Sequence, residues 1–346
     1  MSLSKKVIAF GEIMLRLSPP GFQRLIQARS LDVTFGGGEA NVAVTLAGFG
    51  VSVDYVTRLP KNEIGDACFN YLRQFGIGTS KIVRGGDRLG IYFLESGAAQ
   101  RGSKVIYDRS GSSIATIESG MIDWNRVLSD ASWLHITGIT PAISKGCADS
   151  SLDAVKSAKQ LGLTVSLDLN YRSKLWKWGK TAKEVMGGLV KYSDVVIGNE
   201  EDAANVFGIQ APGVDVISGK VKVESYKSVA EKLKEQFPNI QKAAITVRGS
   251  ISASHNTWSG VMLDDKGFYV GPTYDITHIV DRVGAGDAFA GGLIYALMKY
   301  DNPQKAVDFA VAAGCVKHTI PGDMNLVNVS EVETIMSGVV SGRVAR

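Results

Sequence analysis

The sequence predicts an α/β fold: a mostly parallel central sheet with helices on both faces, plus a second, small β-sheet. Three observations support this prediction. From residue 132 onward, short apolar runs alternate with longer helical patterns, which is typical of parallel strands joined by helices. Two glycine-rich turns open directly into helical segments. Two earlier segments, 13–35 and 88–109, have strand character where a crossover helix would be expected, so we expect them to leave the central sheet and pair with each other.

The composition is that of a soluble globular enzyme. The chain has 346 residues, of which 45% are hydrophobic and 21% charged, and its net charge is +4. Because no run of Lys or Arg concentrates this charge, nucleic acid is excluded as the main partner. The apolar run 7–10 is too short for a signal peptide, and no later segment reaches about 18 apolar residues. We therefore expect a cytoplasmic protein without a membrane partner.

The first third of the chain predicts both sheets. The apolar run 7–10 indicates a buried parallel strand, and segment 13–35, which contains Pro19-Pro20-Gly21, indicates two short strands. Strand patterns at 90–94 and 105–109 flank a polar hairpin, and we expect them to complete the small sheet. The remaining elements here are helices at 42–47 and 67–75 and a strand at 53–56. This divides the chain into a large domain, residues 1–12, 36–87 and 110–346, and a small one, residues 13–35 and 88–109.

The rest of the chain predicts the strand and helix alternation of the central sheet. Strands are predicted at 133–136, 164–167, 195–197 and 243–247, and helices at 146–161, 180–191, 200–207, 227–236, 287–299 and 303–316. A strand meander is expected over 251–280. Segment 209–226 is polar and without a clear period, so we interpret it as a surface insertion.

The turn Gly284-Ala285-Gly286-Asp287 is the strongest candidate for chemistry. Its glycines let backbone N–H groups converge, and a helix that begins at about Asp287 adds the positive end of its dipole, so the turn suits a phosphate. A carboxylate does not bind phosphate, which favours Asp287 as a general base that takes a proton from a hydroxyl. The alternative is that Asp287 caps the helix and the turn is an ordinary tight turn.

A second glycine run, residues 36–38, opens the helix at 42–47. Its spacing is not GxGxxG and it does not follow the first strand, so a dinucleotide site is disfavoured. We expect the backbone at Gly37 to lie against a small polar ligand, with Asn41 pointing its amide at the hydroxyls of that ligand. The alternative is that the glycines only permit close packing.

Polar residues recur where successive strands end. Residues 168–172 follow one strand, residues 199–202 the next, and residues 246–250 a third. Either of the first two groups alone could be a helix cap, but the three together line the carboxyl edge of the sheet, where α/β proteins bind ligands. Arg248 supplies a cation for a nucleotide phosphate, the alternative being an ordinary surface charge.

Two arginines indicate the class of substrate. A neutral sugar needs no guanidinium, whereas the carboxylate of a sugar acid suits the planar fork of Arg109 or Arg172. Tyr92 and Tyr107 have the same phase in their strands and could form an aromatic wall for the sugar. Either tyrosine could equally be a core residue of the small sheet.

These segments resemble the ribokinase-like (PfkB) carbohydrate kinases. Residues 36–43 are similar to the first signature of that family and residues 281–289 to the second. Segments 37–41, 105–109, 168–172, 281–287 and 317–323 resemble the branch that acts on 2-keto-3-deoxygluconate. The resemblance implies a ribokinase-like fold and ATP-dependent phosphorylation of the terminal hydroxyl of this sugar acid. The sequence departs from the family pattern in three places: Val283, where many relatives have Thr, Asp202, where the family motif has Glu, and the insertion 209–226, which has no counterpart in the family.

The resemblance also implies a role for each candidate residue. Asp287 would be the base, with Gly284, Ala285 and Gly286 as the anion hole. The sugar acid would be held by Gly37, Asn41, Tyr92, Tyr107, Arg109 and Arg172. ATP would be held by Asn199, Thr246, Arg248, Gly249, Ser250, Gly284 and Gly286, and Mg²⁺ by Asn199 and Asp202 through water.

By the same resemblance, the small sheet would be a lid and the contact in a homo-oligomer, and activation by a monovalent cation stays open. Two other functions also stay open at this point: a fructokinase or other neutral-sugar kinase, and a sensor of sugar or nucleotide without catalysis.

Overall fold

A computed structural model describes residues 6–210 and 223–338. The strands are, in chain order, β1 Val7–Phe10, β2 Met14–Ser18, β3 Asp32–Gly36, β4 Val53–Val56, β5 Arg58–Leu59, β6 Val83–Arg84, β7 Ile91–Glu95, β8 Lys104–Asp108, β9 Trp133–Thr137, β10 Thr164–Asp168, β11 Val195–Gly198, β12 Lys242–Ser250, β13 Asn256–Leu263, β14 Phe268–Val270 and β15 Tyr274–Ile276. The helices are α1 Gly38–Gly48, α2 Glu63–Gln74, α3 Trp124–Leu128, α4 Ile139–Ile143, α5 Lys145–Gln160, α6 Ala182–Val190, α7 Glu200–Phe207, α8 Val223–Gln236, α9 Ala285–Lys299, α10 Pro303–Lys317 and α11 Val329–Met336.

The central sheet has nine strands within the described residues, in the order β14-β13-β12-β11-β10-β9-β1-β4, with β15 also beside β13. The strands from β12 to β4 pair in parallel, and β13, β14 and β15 add an antiparallel edge. Parallel strands need covered faces on both sides, which explains why β1, β4 and β9 are buried along their whole length. The predicted fold class, a mostly parallel sheet in a ribokinase-like α/β fold, is confirmed.

Alternation along the strands divides the core into two layers. In β1, Val7 and Ala9 pack in one layer with α1, α9 and α10, while Ile8 and Phe10 pack in the other with α3, α5, α6 and α8. Successive side chains of a strand point to opposite faces, so an apolar run without polar interruptions fills both layers. The helices therefore lie on both faces of the sheet, and the carboxyl ends of its strands are left open at one edge.

The small sheet has the order β3-β2-β7-β8. Its two hairpins are antiparallel, and they join through a parallel pair between β2 and β7. The prediction that segments 13–35 and 88–109 form one small sheet apart from the central sheet is confirmed. All five residues of β8 are exposed, so this strand is an edge with an open outer face.

Several predicted boundaries were wrong. Helix α2 begins at Glu63 and not at 67, because the Asn62 side chain accepts from the Gly65 N–H and caps it. Helix α8 begins at Val223 and buries Tyr226, so the end of the supposed insertion 209–226 is part of the core. Residues 211–222 of that segment lie outside the described residues. Helices α3, α4 and α11 were not predicted, since five to eight residues carry too little periodicity.

Among the described residues, none of the helices is both long enough and apolar enough to span a membrane.

Candidate active site

A cleft of about 1080 Å³ lies between the small sheet and the carboxyl ends of the parallel strands. The predicted site residues that line it are Gly37, Asn41, Tyr92, Tyr107, Arg109, Arg172, Asn199, Asp202, Thr246, Arg248, Ser250, Gly284, Ala285, Gly286 and Asp287. Gly249 is the exception, because it is buried in β12 and its N–H donates to Thr257 Oγ1 (3.2 Å). Residues from seven separate parts of the chain thus meet in one space.

The turn before α9 shows why two glycines are needed. Gly284 is the N-cap residue and has φ 83°, a left-handed conformation, and a Cβ atom there would lie 2.0 Å from the carbonyl oxygen of Asp323. A Cβ atom on Gly286 would meet nothing within 4 Å, so this residue presents its backbone to the open cleft. The first turn of a helix leaves its N–H groups without intrahelical partners, an arrangement that suits an anion.

Asp287 is not the cap of α9. The helix begins at Ala285, two residues before the predicted start, and no side chain of the described residues caps its N-terminus. Instead Oδ2 of Asp287 accepts a hydrogen bond from Nδ2 of Asn41 (2.7 Å). The alternative interpretation of Asp287 as a helix cap is therefore wrong, and its carboxylate is directed at the cleft.

Burial raises the pKa of Asp287 to about 6. The hydrogen bond from Asn41 lowers the pKa, the carboxylate of Asp323 raises it, and the cations Arg172 and Lys317 lower it. A carboxylate with a pKa near neutrality is ionised at physiological pH and still basic enough to accept a proton. This arrangement has the properties of a general base.

Gly37 and Asn41 are both engaged within the protein. Gly37 precedes α1, and a Cβ atom on it would lie 2.0 Å from the carbonyl oxygen of Glu12, so close packing explains this glycine. Oδ1 of Asn41 accepts from the Gly37 N–H (3.3 Å) while its Nδ2 donates to Asp287. Asn41 therefore fixes the orientation of the Asp287 carboxylate, in addition to the predicted contact with ligand hydroxyls.

Arg109 is buried and paired. Its Nη2 donates to Oε2 of Glu12, whose Oε1 accepts from Ser112 Oγ (2.7 Å). Its guanidinium also lies 5.4 Å from the centre of the Tyr107 ring. The positive charge of Arg109 is thus compensated by Glu12, a residue that the sequence analysis missed because only the fold brings it to Arg109.

Arg172 is exposed and its hydrogen bonds go to neutral oxygens. Nη1 donates to the carbonyl of Tyr171 (2.9 Å) and Nη2 to Oδ1 of Asn170 (2.6 Å). Asn170 has φ 38°, a left-handed conformation that Asn tolerates better than most residues. Among the described residues, Arg172 has no ion pair, so its charge is available to a ligand in the cleft.

The two tyrosines differ in exposure. Tyr92 is buried and its hydroxyl donates to Oδ2 of Asp323 (2.6 Å), whereas Tyr107 is 46% exposed. Their ring centres are 6.1 Å apart. The interpretation of these residues as core applies in part to Tyr92, while Tyr107 forms the rim of the cleft.

The other end of the cleft combines carboxylates and cations. Asn199 and Asp202 cap α7 reciprocally, and Asp202 also accepts from the Tyr171 N–H (2.8 Å). Burial raises the pKa of Asp202 and, further, that of Asp168, whose carboxylate also faces those of Asp202 and Asp287. Asp168 was not assigned a role from the sequence, although its place directly at the end of β10 was a signal.

Arg282 is a third residue without a role predicted from the sequence. Its Nη2 donates to the carbonyls of Ser252 (2.9 Å) and Ala253 (2.7 Å), and burial together with the nearby Arg248 lowers its pKa. Arg248 itself is exposed on the cleft wall. Two guanidinium groups at one end of the cleft suit a polyanion such as a nucleotide phosphate chain.

The known proteins that this chain resembles are carbohydrate kinases. The profile of the pfkB family carbohydrate kinases matches residues 4–328. The chain is 30% identical to 2-dehydro-3-deoxygalactonokinase from Haloferax volcanii over 97% of this chain and 98% of that protein. It is 25% identical to 2-dehydro-3-deoxygluconokinase from Bacillus subtilis over 92% of this chain and 91% of that protein.

A solved structure is similar throughout. The crystal structure of 2-dehydro-3-deoxygluconokinase from Thermotoga maritima superposes with a TM-score of 0.91, at 48% sequence identity, over 96% of this chain and 100% of that one.

Proposed function

The chain belongs to the pfkB family of carbohydrate kinases, and we propose that its substrate is 2-dehydro-3-deoxygluconate (2-keto-3-deoxygluconate). ATP would donate the phosphoryl group to the terminal hydroxyl of this sugar acid. Such a reaction is that of a phosphotransferase with an alcohol group as acceptor. One observation carries the proposal for an acidic substrate: Arg172 presents a guanidinium without an ion pair in the described residues to the same cleft as Asp287. A sugar carboxylate would supply the missing partner.

The proposed pose places the sugar between the small sheet and the Asp287 turn. Its carboxylate would lie at Arg172, its chain against Tyr107, and its terminal hydroxyl at Asp287. Arg109, already paired with Glu12, would form part of the wall around the sugar without adding net charge. This division assigns charge recognition to Arg172 and orientation to Arg109.

The chemical step follows from this placement. Asp287 accepts the proton of the terminal hydroxyl as the oxygen attacks the γ-phosphorus, and the bond to the bridging oxygen breaks to release ADP. Negative charge on the transferred phosphoryl group would be stabilised by N–H groups of the turn at Gly284, Ala285 and Gly286, together with the helix dipole of α9. Asn41 keeps the Asp287 carboxylate oriented through its 2.7 Å hydrogen bond.

The residues near the proposed phosphate end fit Mg²⁺. Asp168, Asp202 and Asn199 offer hard oxygen donors. Burial raises the pKa of both aspartates, and a cation beside them would favour their ionised forms. Both carboxylate oxygens of Asp202 already accept backbone hydrogen bonds, which favours contact through water. When bound, Mg²⁺ neutralises charge on the ATP phosphates. Arg248, Thr246 and Ser250 would hold the nucleotide.

A coupled assay of ADP release over a panel of sugars tests the proposal. The panel contains 2-keto-3-deoxygluconate, its galacto epimer, fructose and ribose, each with and without Mg²⁺. We expect the highest kcat/KM for a 2-keto-3-deoxy sugar acid. A preference for fructose would instead support the neutral-sugar alternative, and the absence of turnover on every sugar would support a sensor.

A further inference from the structure

A buried chain of hydrogen bonds joins the small sheet to the turn at Gly284. Tyr92 on β7 donates to Oδ2 of Asp323 (2.6 Å), and Oδ1 of Asp323 accepts from Nη1 of Arg16 on β2 (2.6 Å). Nη2 of Arg16 donates to Oδ2 of Asp281 (2.5 Å), whose Oδ1 accepts from the Val283 N–H (3.0 Å). All four side chains are buried.

Asp323 also lies beneath both glycine turns of the cleft. A Cβ atom on Gly36 would be 2.1 Å from Oδ2 of Asp323, and one on Gly284 would be 2.0 Å from the Asp323 carbonyl oxygen. The Gly322 N–H donates to Oδ2 of Asp281 (3.1 Å). A displacement of Asp323 would therefore move both turns, because neither has space to absorb it.

The charges of this cluster balance. Arg16 and the fully buried Lys317 face two carboxylates, Asp281 and Asp323, and Nζ of Lys317 donates to the carbonyl of Ile320 (3.0 Å). Burying four charges is costly, and well-packed apolar residues would hold the sheet at least as firmly. Stability therefore does not explain these buried charges. Their position next to the proposed base Asp287 indicates that they set the geometry and the charge around it.

We propose that Arg16 is a positioning residue for phosphoryl transfer, which holds the small sheet, and the sugar bound against it, in register with the turn at Gly284. This inference rests on the proposed function, in that the sugar lies against Tyr107 of the small sheet and the phosphoryl group contacts the turn. Within the described residues, Arg16 does not line the cleft. It would therefore act through Asp281 and Asp323 and not by touching either substrate.

The first test is Arg16→Lys, which keeps the charge and loses the two-pronged guanidinium. Steady-state kinetics would give kcat, and calorimetry would give Kd for the sugar and for a non-hydrolysable ATP analogue. We expect kcat to fall by on the order of 10- to 100-fold, since misplacement by about 1 Å has such effects, with both Kd values within roughly threefold of wild type. Arg24→Met is the matched control, because Arg24 lies in the same segment, is half exposed, and should leave kcat unchanged.

The second test is Arg16→Met, which also removes the charge. The charged groups that face Asp287 are Asp168, Asp323, Arg172 and Lys317, and Asn41 donates to it. Without Arg16, less positive charge offsets the Asp323 carboxylate, which raises the pKa of Asp287. The decline of kcat at low pH should therefore move to higher pH by roughly half a unit or more. In Arg16→Lys the decline of kcat should stay at its wild-type pH, because the positive charge is kept. A loss of folded protein alone would lower kcat without changing the pH of this decline in either variant.

Both variants are measured on whichever sugar the wild-type enzyme phosphorylates, so a wrong sugar assignment does not affect this test. A kcat of Arg16→Lys within twofold of wild type would overturn the inference, as would a fall in kcat matched by equal losses of both affinities. If Arg16→Lys does not fold, Asp281→Asn replaces it, because it keeps the side-chain shape and weakens the same link. The same fall in kcat with intact binding is then expected, and normal turnover would count against Arg16.

Discussion

At the scale of single residues, Asp287 is where the chemistry is proposed to occur. Asp287→Asn keeps the shape of the side chain but removes the base, so we expect kcat to fall by on the order of 10² to 10⁴ while both ligands still bind. Single-turnover kinetics and calorimetry measure the two effects separately. Asp265→Asn, at an exposed aspartate paired with Lys234, is the matched control. Turnover close to wild type would exclude Asp287 as the base.

The raised pKa of Asp287 predicts opposite pH dependences of activity and stability. Because the ionised carboxylate is the base, kcat should decline as the pH falls through about 6. The stabilising contribution of the protonated group is complete below the ordinary Asp pKa of 3.8 and is lost as the pH rises through about 6. Asp287→Asn should therefore raise the Tm at pH 8 but not at pH 4. An equal Tm for both proteins at pH 8 would contradict the pKa assignment.

Arg172 tests the nature of the substrate. Arg172→Ala removes a charge-assisted contact with a carboxylate, so KM for the sugar acid should rise by on the order of 10- to 100-fold, while KM for a neutral sugar should hardly change. This variant is cleaner than Arg109→Ala, which would leave the buried Glu12 without its partner. Arg126→Ala on α3 serves as the control for loss of an exposed arginine. Equal KM values before and after the change would disprove a carboxylate contact at Arg172.

At the scale of elements, the turn into α9 depends on one backbone conformation. Gly284→Ala should cost about 1–3 kcal/mol of stability, because φ 83° disfavours a side chain and the new Cβ would collide with Asp323. The collision displaces the N–H groups of the turn, so kcat should fall by on the order of 10² to 10³.

Gly208→Ala separates the two effects of that substitution. Gly208 ends α7 with φ 73° and has open space at the Cβ position, so this variant has the conformational strain without the collision. We expect lower stability with normal kcat, as measured by denaturant unfolding and steady-state kinetics. If Gly284→Ala also kept its kcat, the turn would not be the anion site.

The outer face of the small sheet is the element through which we propose that two copies associate. Val105 and Tyr107 line the cleft, so Ile106 points to the opposite face, where it is 55% exposed. Wild-type protein should have twice the chain mass of 37.0 kDa in light scattering, and Ile106→Asp should have the chain mass alone. Leu161→Asp, an exposed apolar residue at the end of α5, should remain dimeric. A monomeric wild type would refute this interface.

At the scale of the whole molecule, the sequence predicted what depends on neighbouring residues. The strands β1, β4 and β9 to β11 are short, mostly apolar runs between turn residues, so they were predicted within a residue or two. The polar residues after β10, β11 and β12 were expected at one edge because parallel strands share that edge, and most of them line the cleft.

What the sequence did not predict depends on partners far along the chain. The neighbours of Arg16, Glu12 and Asp323 in sequence do not indicate which residues these three contact. Arg16 and Asp323 are 307 residues apart, and Glu12 and its partner Arg109 are 97 residues apart. The start of α8 was missed because residues 223–226 show no helical period in the sequence. Only the structure shows that they begin a helix and that Tyr226 is buried. The close approach at Gly284 was likewise hidden, since the colliding atom belongs to Asp323.

The ion pairs of Arg16 have a consequence for synthesis of the protein. Its partners Asp281 and Asp323 lie 265 and 307 residues further along the chain. During translation the small sheet can form early, but Arg16 stays unpaired until nearly the whole chain has left the ribosome. A nascent chain that stalls after β12 would expose an unpaired arginine and an unfinished cleft. The cleft is therefore completed only when Asp323 becomes available, near the end of synthesis.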